Sequence, residues 1–110
     1  MVFTNAKEAL GFFNRLFGLM FRKIMPPDEA LIFYHTPSIH TFFMRFDIDV
    51  IFLDKNRRII RIYNNLKPNR VIYCPNSYCA IECLGGNASL KQMKIGDYME
   101  FIQEKPSGGR

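Results

Sequence analysis

The chain has no apolar run approaching the roughly 20 residues needed to cross a bilayer. Its Phe-rich start, ALGFFNRLFGLMF, is broken by Asn14 and Arg15. A basic leader and an Ala-x-Ala type cleavage site are also missing, so the expectation is a soluble, cytoplasmic protein that does not insert into membranes. There are only three cysteines, an odd number, which argues for reduced thiols against a disulfide framework. They are separated by four and three residues, which is not a CxxC zinc knuckle, and no metal or other cofactor is expected. No GxGxxG, Walker loop or RNP-like aromatic pair is present, which removes the common phosphate-cradling and RNA-stacking motifs.

What the chain does have is apolar mass. Hydrophobic residues make up 48% and aromatic residues 15% of its 110 residues, eleven of them Phe. That is enough for one dense core, and the length leaves room for one domain, residues 1–110. The ordered part is expected over about residues 3–103, with the tail EKPSGGR, residues 104–110, frayed because it lacks an apolar anchor. A formal net charge of +5 favours acidic partners in general.

Asn5 followed by Glu8 has the form of an N-terminal capping box. Leu10, Phe13, Phe17 and Met20 then recur at helical spacing, so one short helix is expected to begin near Asn5 and end by about Phe17. After MPPDEA the pattern becomes extended. Candidate strands are Ala30 to Tyr34, His40 to Arg45, Asp49 to Leu53, Arg58 to Tyr63, Arg70 to Tyr73, Cys79 to Leu84 and Tyr98 to Ile102. Val50 to Leu53 are apolar without alternation, as in a strand covered on both faces, whereas Arg58 to Tyr63 alternate as in a half-exposed strand. DKNR between them reads as a tight hairpin with Asp54 accepting backbone hydrogen bonds. Asn87 or Ser89 is suited to cap one further helical turn. The fold class is therefore mainly β, a single-domain sandwich or barrel-like, jelly-roll-like architecture with a short N-terminal helix.

Polar residues inside this apolar frame are the candidates for chemistry. A hairpin around TPSI would set His35 opposite His40, with Cβ atoms roughly 4.5–5.5 Å apart. Two ligands do not make a zinc site, and one histidine bonded to backbone with the other exposed is the simpler reading. Cys79 and Cys83 share a strand face with Ile81 and read as core thiols, while Cys74 meeting His40 would be the alternative nucleophile pair. Arg45, Asp47 and Asp49 share a face and read as a salt-bridged strand entrance, with acid–base use of the aspartates as the alternative. Arg57, Arg58, Arg61, Lys67 and Arg70 form a basic cluster whose default reading is a solvated hairpin face.

The pieces GLMFR (Gly18 to Arg22), SIHTFFMRFDIDVIFLD (Ser38 to Asp54), LKPNR (Leu66 to Arg70) and KIGD (Lys94 to Asp97) give the chain a resemblance to the Domain of Unknown Function 192 family, over about Ala9 to Ile102. The resemblance implies a single, mainly β domain and no established biochemical activity. Matching positions are Gly18, Leu19, Met20, Arg22, Ile39, His40, Thr41, Phe43, Met44, Phe46, Asp49, Phe52 and Asp97. Asp47 stands where relatives usually have proline and Arg57 where they usually have glycine. The second departure forces Asn56 or Arg57 into a positive-φ state, at about 1 kcal/mol for a non-glycine residue. CLGGNASL is a loose version of the family's leucine, proline and glycine pattern.

These readings converge on a non-enzymatic β module that binds a small ligand or a protein partner through a polar patch near His40. The candidate ligand-binding residues are Arg22, His40, Thr41, Arg45 and Asp49, because a buried polar group needs a partner from protein or ligand. The alternative is a small hydrolytic or metal-dependent enzyme using His40 with Asp49 or a cysteine, for which no catalytic residue is assigned. The least favoured reading is nucleic-acid binding through the Arg57 to Arg70 face.

Overall fold

The structure, a computed structural model, describes residues 2–8 and 22–103. Among the described residues eight strands and one short helix follow in the order β1 (Val2–Glu8), β2 (Glu29–Tyr34), β3 (Ser38–His40), β4 (Ile48–Leu53), β5 (Ile59–Leu66), β6 (Val71–Tyr73), β7 (Cys79–Leu84), α1 (Asn87–Leu90) and β8 (Glu100–Gln103). The domain is mainly β, as its short, turn-bounded apolar runs imply. Six strands form a mixed sheet in the order β5-β4-β7-β2-β1-β8, and β3 pairs with β6 in a second, two-stranded sheet.

β4 lies between β5 and β7, antiparallel to both, and all six of its residues are buried. This is what a continuous apolar run is for: no position on the strand needs to be polar when both faces are covered. β5, at the sheet edge, shows the mixed burial its alternation implies. The inner face of the small sheet, Ile39 and Ile72, joins the same buried cluster as Ile32, Ile51, Phe52 and Ile81, so one core serves both sheets.

Three local expectations are corrected. Asn5 and Glu8 lie within β1, which runs parallel to β2 and β8, so they do not open a helix there. Strand pairing offers this backbone a full ladder, which local capping signals do not register. The rest of the expected helix, to Phe17, lies outside the described residues, as does the tail from residue 104. The strand expected over His40 to Arg45 ends at His40, because Thr41 turns the chain and Phe43 takes a left-handed φ of 62°. The helical turn α1 is capped by Gly86 at φ 97° and not by Asn87 or Ser89; the Asn87 amide instead donates to the Pro27 carbonyl at 2.6 Å.

The DKNR hairpin forms as expected. Asp54 Oδ1 accepts the N–H groups of Asn56 (2.8 Å) and Arg58 (3.0 Å), and Arg57 is the residue in the left-handed region, at φ 64°. Close approach, not φ, dictates glycine at Gly85. A Cβ there would stand 2.8 Å from Asn65 Oδ1 and 2.9 Å from the Asp47 carbonyl oxygen, on the backbone to which Gly85 itself donates. Gly85→Ala is expected to lower stability by about 1–3 kcal/mol in urea unfolding, the range for overpacking a fitted contact.

Candidate functional site

Two of the expected site residues are fully buried and hold loops. Asp49, on β4, accepts the Asn65 N–H at 2.8 Å and the Gly86 N–H at 3.1 Å through Oδ1, and the Ala88 N–H at 2.7 Å through Oδ2. It thereby ties the end of β5 to the turn between β7 and α1. Thr41 Oγ1 donates to the Lys67 carbonyl at 2.7 Å and accepts the Arg70 N–H at 2.8 Å, fixing the LKPNR loop beside β3. Both polar groups are satisfied by backbone, which is how a buried oxygen avoids its desolvation cost.

The strand-entrance reading of Arg45, Asp47 and Asp49 is also corrected. Asp47 pairs with Lys67 at 2.7 Å, Asp49 bonds backbone, and Arg45 is exposed. The hairpin around TPSI does not form either: β2 pairs with β1 and β7, and β3 pairs with β6. His40 therefore stands opposite Val71, while the His35 ring lies 4.9 Å from that of Tyr78. Among the described residues no group of three His, Cys, Asp or Glu side chains converges as a metal site.

Arg22 donates from both guanidinium nitrogens to Glu29, at 2.8 Å each, a bidentate pair at the start of β2. That hydrogen bond raises the Arg22 pKa against the opposing effect of burial. Glu29 was missed in the sequence, and so was Glu82. Glu82 lies on β7 between Leu31 of β2 and Val50 of β4, on the same face of the sheet as Glu29. Its side chain is buried, Oε1 has no hydrogen-bond partner, and burial pushes its pKa from 4.5 up to about 8. The only signal for it was a charged residue in the middle of CAIECL, a run otherwise apolar.

His40 marks an exposed face. Its ring stacks on Phe42 at 5.3 Å, and its Nδ1 accepts the Phe42 N–H at 3.2 Å. Strand alternation puts Val71 and Tyr73 on the outer side of the small sheet beside His40 and Ser38, opposite the buried Ile39 and Ile72. Phe43, Val71 and Tyr73 are 61–63% exposed and Phe42 is 42% exposed. Sequence periodicity missed this patch because it placed Phe42 and Phe43 inside a strand.

The three cysteines are buried free thiols. Burial pushes Cys79 up to about 11 against the opposing field of Arg57, and pushes Cys83 up as well, so neither is a ready thiolate. The basic cluster is spread out. Arg58 lies over the Tyr98 ring at 5.4 Å, Arg61 over the Tyr63 ring at 5.1 Å, and Lys67 is paired with Asp47. Among the described residues no helix is long and apolar enough to cross a membrane.

Comparison with known proteins agrees with this architecture. A UPF0127 protein of Pyrococcus abyssi is 36% identical over 99 residues, covering 83% of this chain and 80% of its own length. A UPF0127 protein of Pyrococcus horikoshii is 46% identical over 72 residues, covering 60% of this chain and 58% of its own. Among solved structures, a protein of unknown function from Novosphingobium aromaticivorans superposes with a TM-score of 0.77 at 25% identity, over 84% of this chain and 71% of its own. A Sinorhizobium meliloti protein gives a TM-score of 0.80 at 22% identity, over 86% and 79% respectively, a likeness of fold alone. The profile of the DUF192 family, "Uncharacterized ACR, COG1430", matches residues 3–101, and the chain belongs to that family.

Proposed function

We propose that the protein is a non-enzymatic binding module whose contact surface is the outer face of the β3–β6 sheet around His40. The observation that carries this reading is the exposure of Val71 and Tyr73 on the outer side of the small sheet together with that of Phe42, whose ring stacks on His40, and of Phe43, next to it in the chain. Large apolar side chains grouped on one face, while the interior is densely filled, are what an interaction site presents to water. Exposed Arg70 directly precedes Val71 in the chain, exposed Arg45 follows Phe43 by two residues, and the whole chain carries +5. Apolar centre and basic rim together favour a protein segment with aromatic or aliphatic anchors and acidic flanks.

The five residues expected as a ligand site divide under this proposal. His40 and Arg45 belong to the contact face, Thr41 and Asp49 hold the loops that shape it, and Arg22 serves the Glu29 pair at the start of β2. The enzyme reading has less support: both Asp49 oxygens accept backbone N–H groups, and the Cys79 and Cys83 thiols are stabilised in the protonated form.

The test is selection of binders from a displayed random peptide library, followed by calorimetric titration. Acid-flanked apolar peptides are expected. Tyr73→Ser is expected to weaken them by about tenfold or more, as for a central aromatic anchor, with an unchanged melting temperature. No enrichment over an unrelated β domain, or equal affinity for Tyr73→Ser and the parent, would overturn the proposal.

A further inference from the structure

At the Leu53 end of β4 lies a second feature, none of whose lining residues belongs to the contact face. A cavity of about 450 Å³ is lined by Tyr34, Lys55, Arg57, Tyr78 and Cys79. It lies where β2 ends, β7 begins and the β4–β5 hairpin turns over. Its volume falls within the roughly 300–1,000 Å³ of small-molecule pockets.

The lining is chemically divided. One side is aromatic: the Tyr78 ring stands edge-on to Tyr34 at 5.9 Å and to His35 at 4.9 Å. Cys79, buried among them, adds a thiol that stays neutral. The hairpin contributes cations. Lys55 makes no ion pair among the described residues, and the charge of Arg57 is felt at Cys79. Asp54 is the opposing charge nearby, and its Oδ1 is committed to the N–H groups of Asn56 and Arg58. Among the described residues, the cations Lys55 and Arg57 line the cavity and Asp54 is the carboxylate whose charge also reaches Cys79.

Arg57 occupies its place at a conformational cost. Its φ of 64° lies in the left-handed region, which glycine enters freely and an arginine does not. The backbone holds it there from both sides: Arg57 N–H donates to the Asp54 carbonyl at 3.0 Å, and the Arg57 carbonyl accepts the Met99 N–H at 2.8 Å. The fixed backbone sets where the Arg57 side chain leaves the hairpin, and at the rim of the cavity it brings a cation that a glycine in the same turn would not.

We infer that this cavity is a binding site for a small organic anion with a flat apolar body, an aryl carboxylate or aryl phosphate. Arg57 and Lys55 take the anionic group, and the Tyr34–Tyr78 wall takes the ring. Guanidinium is suited to either oxyanion because its fork donates two parallel hydrogen bonds. An aromatic wall favours a planar body through edge-to-face contact. The site does not depend on the His40 face, and neither proposal stands or falls with the other.

The experiment is an amide chemical-shift titration with phenyl phosphate, benzoate, inorganic phosphate and neutral benzyl alcohol. Phenyl phosphate and benzoate are expected to shift the amides of Arg57, Tyr78 and Cys79 saturably, inorganic phosphate to bind more weakly, and benzyl alcohol to leave them unmoved. Arg57→Gly is expected to weaken binding by about tenfold or more, the loss of one charge-assisted contact, without lowering the melting temperature. Lys55→Gln, at an exposed position, is expected to weaken it less. Non-saturating shifts, benzyl alcohol binding as well as benzoate, inorganic phosphate matching phenyl phosphate, or an Arg57→Gly affinity equal to the parent would each overturn the inference.

Discussion

Asp49→Ala is expected to destabilise the domain by about 3–5 kcal/mol, since it removes the acceptor of three backbone donors, one buried and two part-buried, and leaves a void in a fully buried position. The Asn65, Gly86 and Ala88 N–H groups all end on this carboxylate, and the residue has no exposed surface. Each unpaired buried donor costs about 1–3 kcal/mol, and a bond to a carboxylate is stronger than one to a neutral acceptor. Water entering the vacated space would recover part of the loss. Asp49→Asn should fall between, because the amide oxygen still accepts while its NH₂ group faces a donor. Urea unfolding followed by circular dichroism measures both. A loss below about 1 kcal/mol for the alanine variant would show that the end of β5 and the turn before α1 hold their positions without this residue.

Glu82→Gln is expected to act in the opposite direction, and only at the alkaline end of the stability profile. Burial raises the Glu82 pKa from 4.5 to about 8 in the folded chain. Between those values the folded state keeps a proton that the unfolded chain gives up. The stabilisation held by neutral Glu82 is therefore full below about pH 4.5 and is lost as the pH rises through about 8. Glutamine copies the neutral acid at every pH. The variant should match the parent near pH 4.5 and exceed it near pH 8.5 by about 3 kcal/mol, with about 5 kcal/mol as the ceiling at about 1.4 kcal/mol per pH unit. Unfolding midpoints across pH 4.5 to 9 test this. Parallel profiles for the two proteins would mean that Glu82 is ionised in the folded state or has found a partner.

Glu82 and Asp49 show how differently a buried acid can be read from the chain. Asp49 stood out because it interrupts a strong apolar run and belongs to a family-like motif, and its role nonetheless came out as architectural. Its three partners lie 16, 37 and 39 residues away in sequence, so no local pattern could connect them. Glu82 gave almost no signal, since one acid in a six-residue strand is usually on a solvated face. What buries it is the order β4-β7-β2, which puts a strand on each side of β7.

His40 and Phe42 make the same point about surfaces. The apolar run bounded by turn residues predicted a strand from His40 through Arg45, which would have folded Phe42 or Phe43 inward. Thr41 instead bonds across to the Lys67–Arg70 loop, the strand stops, and Phe42 and Phe43 are left exposed just beyond it. Arg57 is the intermediate case. The need for a positive φ at Asn56 or Arg57 was implied by the family resemblance, in which glycine usually stands at the position of Arg57, but which residue took it, and that it lines a cavity with Tyr34 and Tyr78, was not.

The chain by itself determined the mainly β class, the buried character of β4, the Asp54 hairpin and the family. Each of these follows from local periodicity, turn chemistry or shared motifs, which act over a few residues. Tertiary structure alone decided the strand order, the pairing of β1 with β2, the burial of Glu82, the exposed face around His40 and the cavity at Arg57. Those depend on which distant segments share a ladder: backbone hydrogen bonding is common to every pairing, and the choice among them is made by packing between segments too far apart in sequence for local patterns to connect.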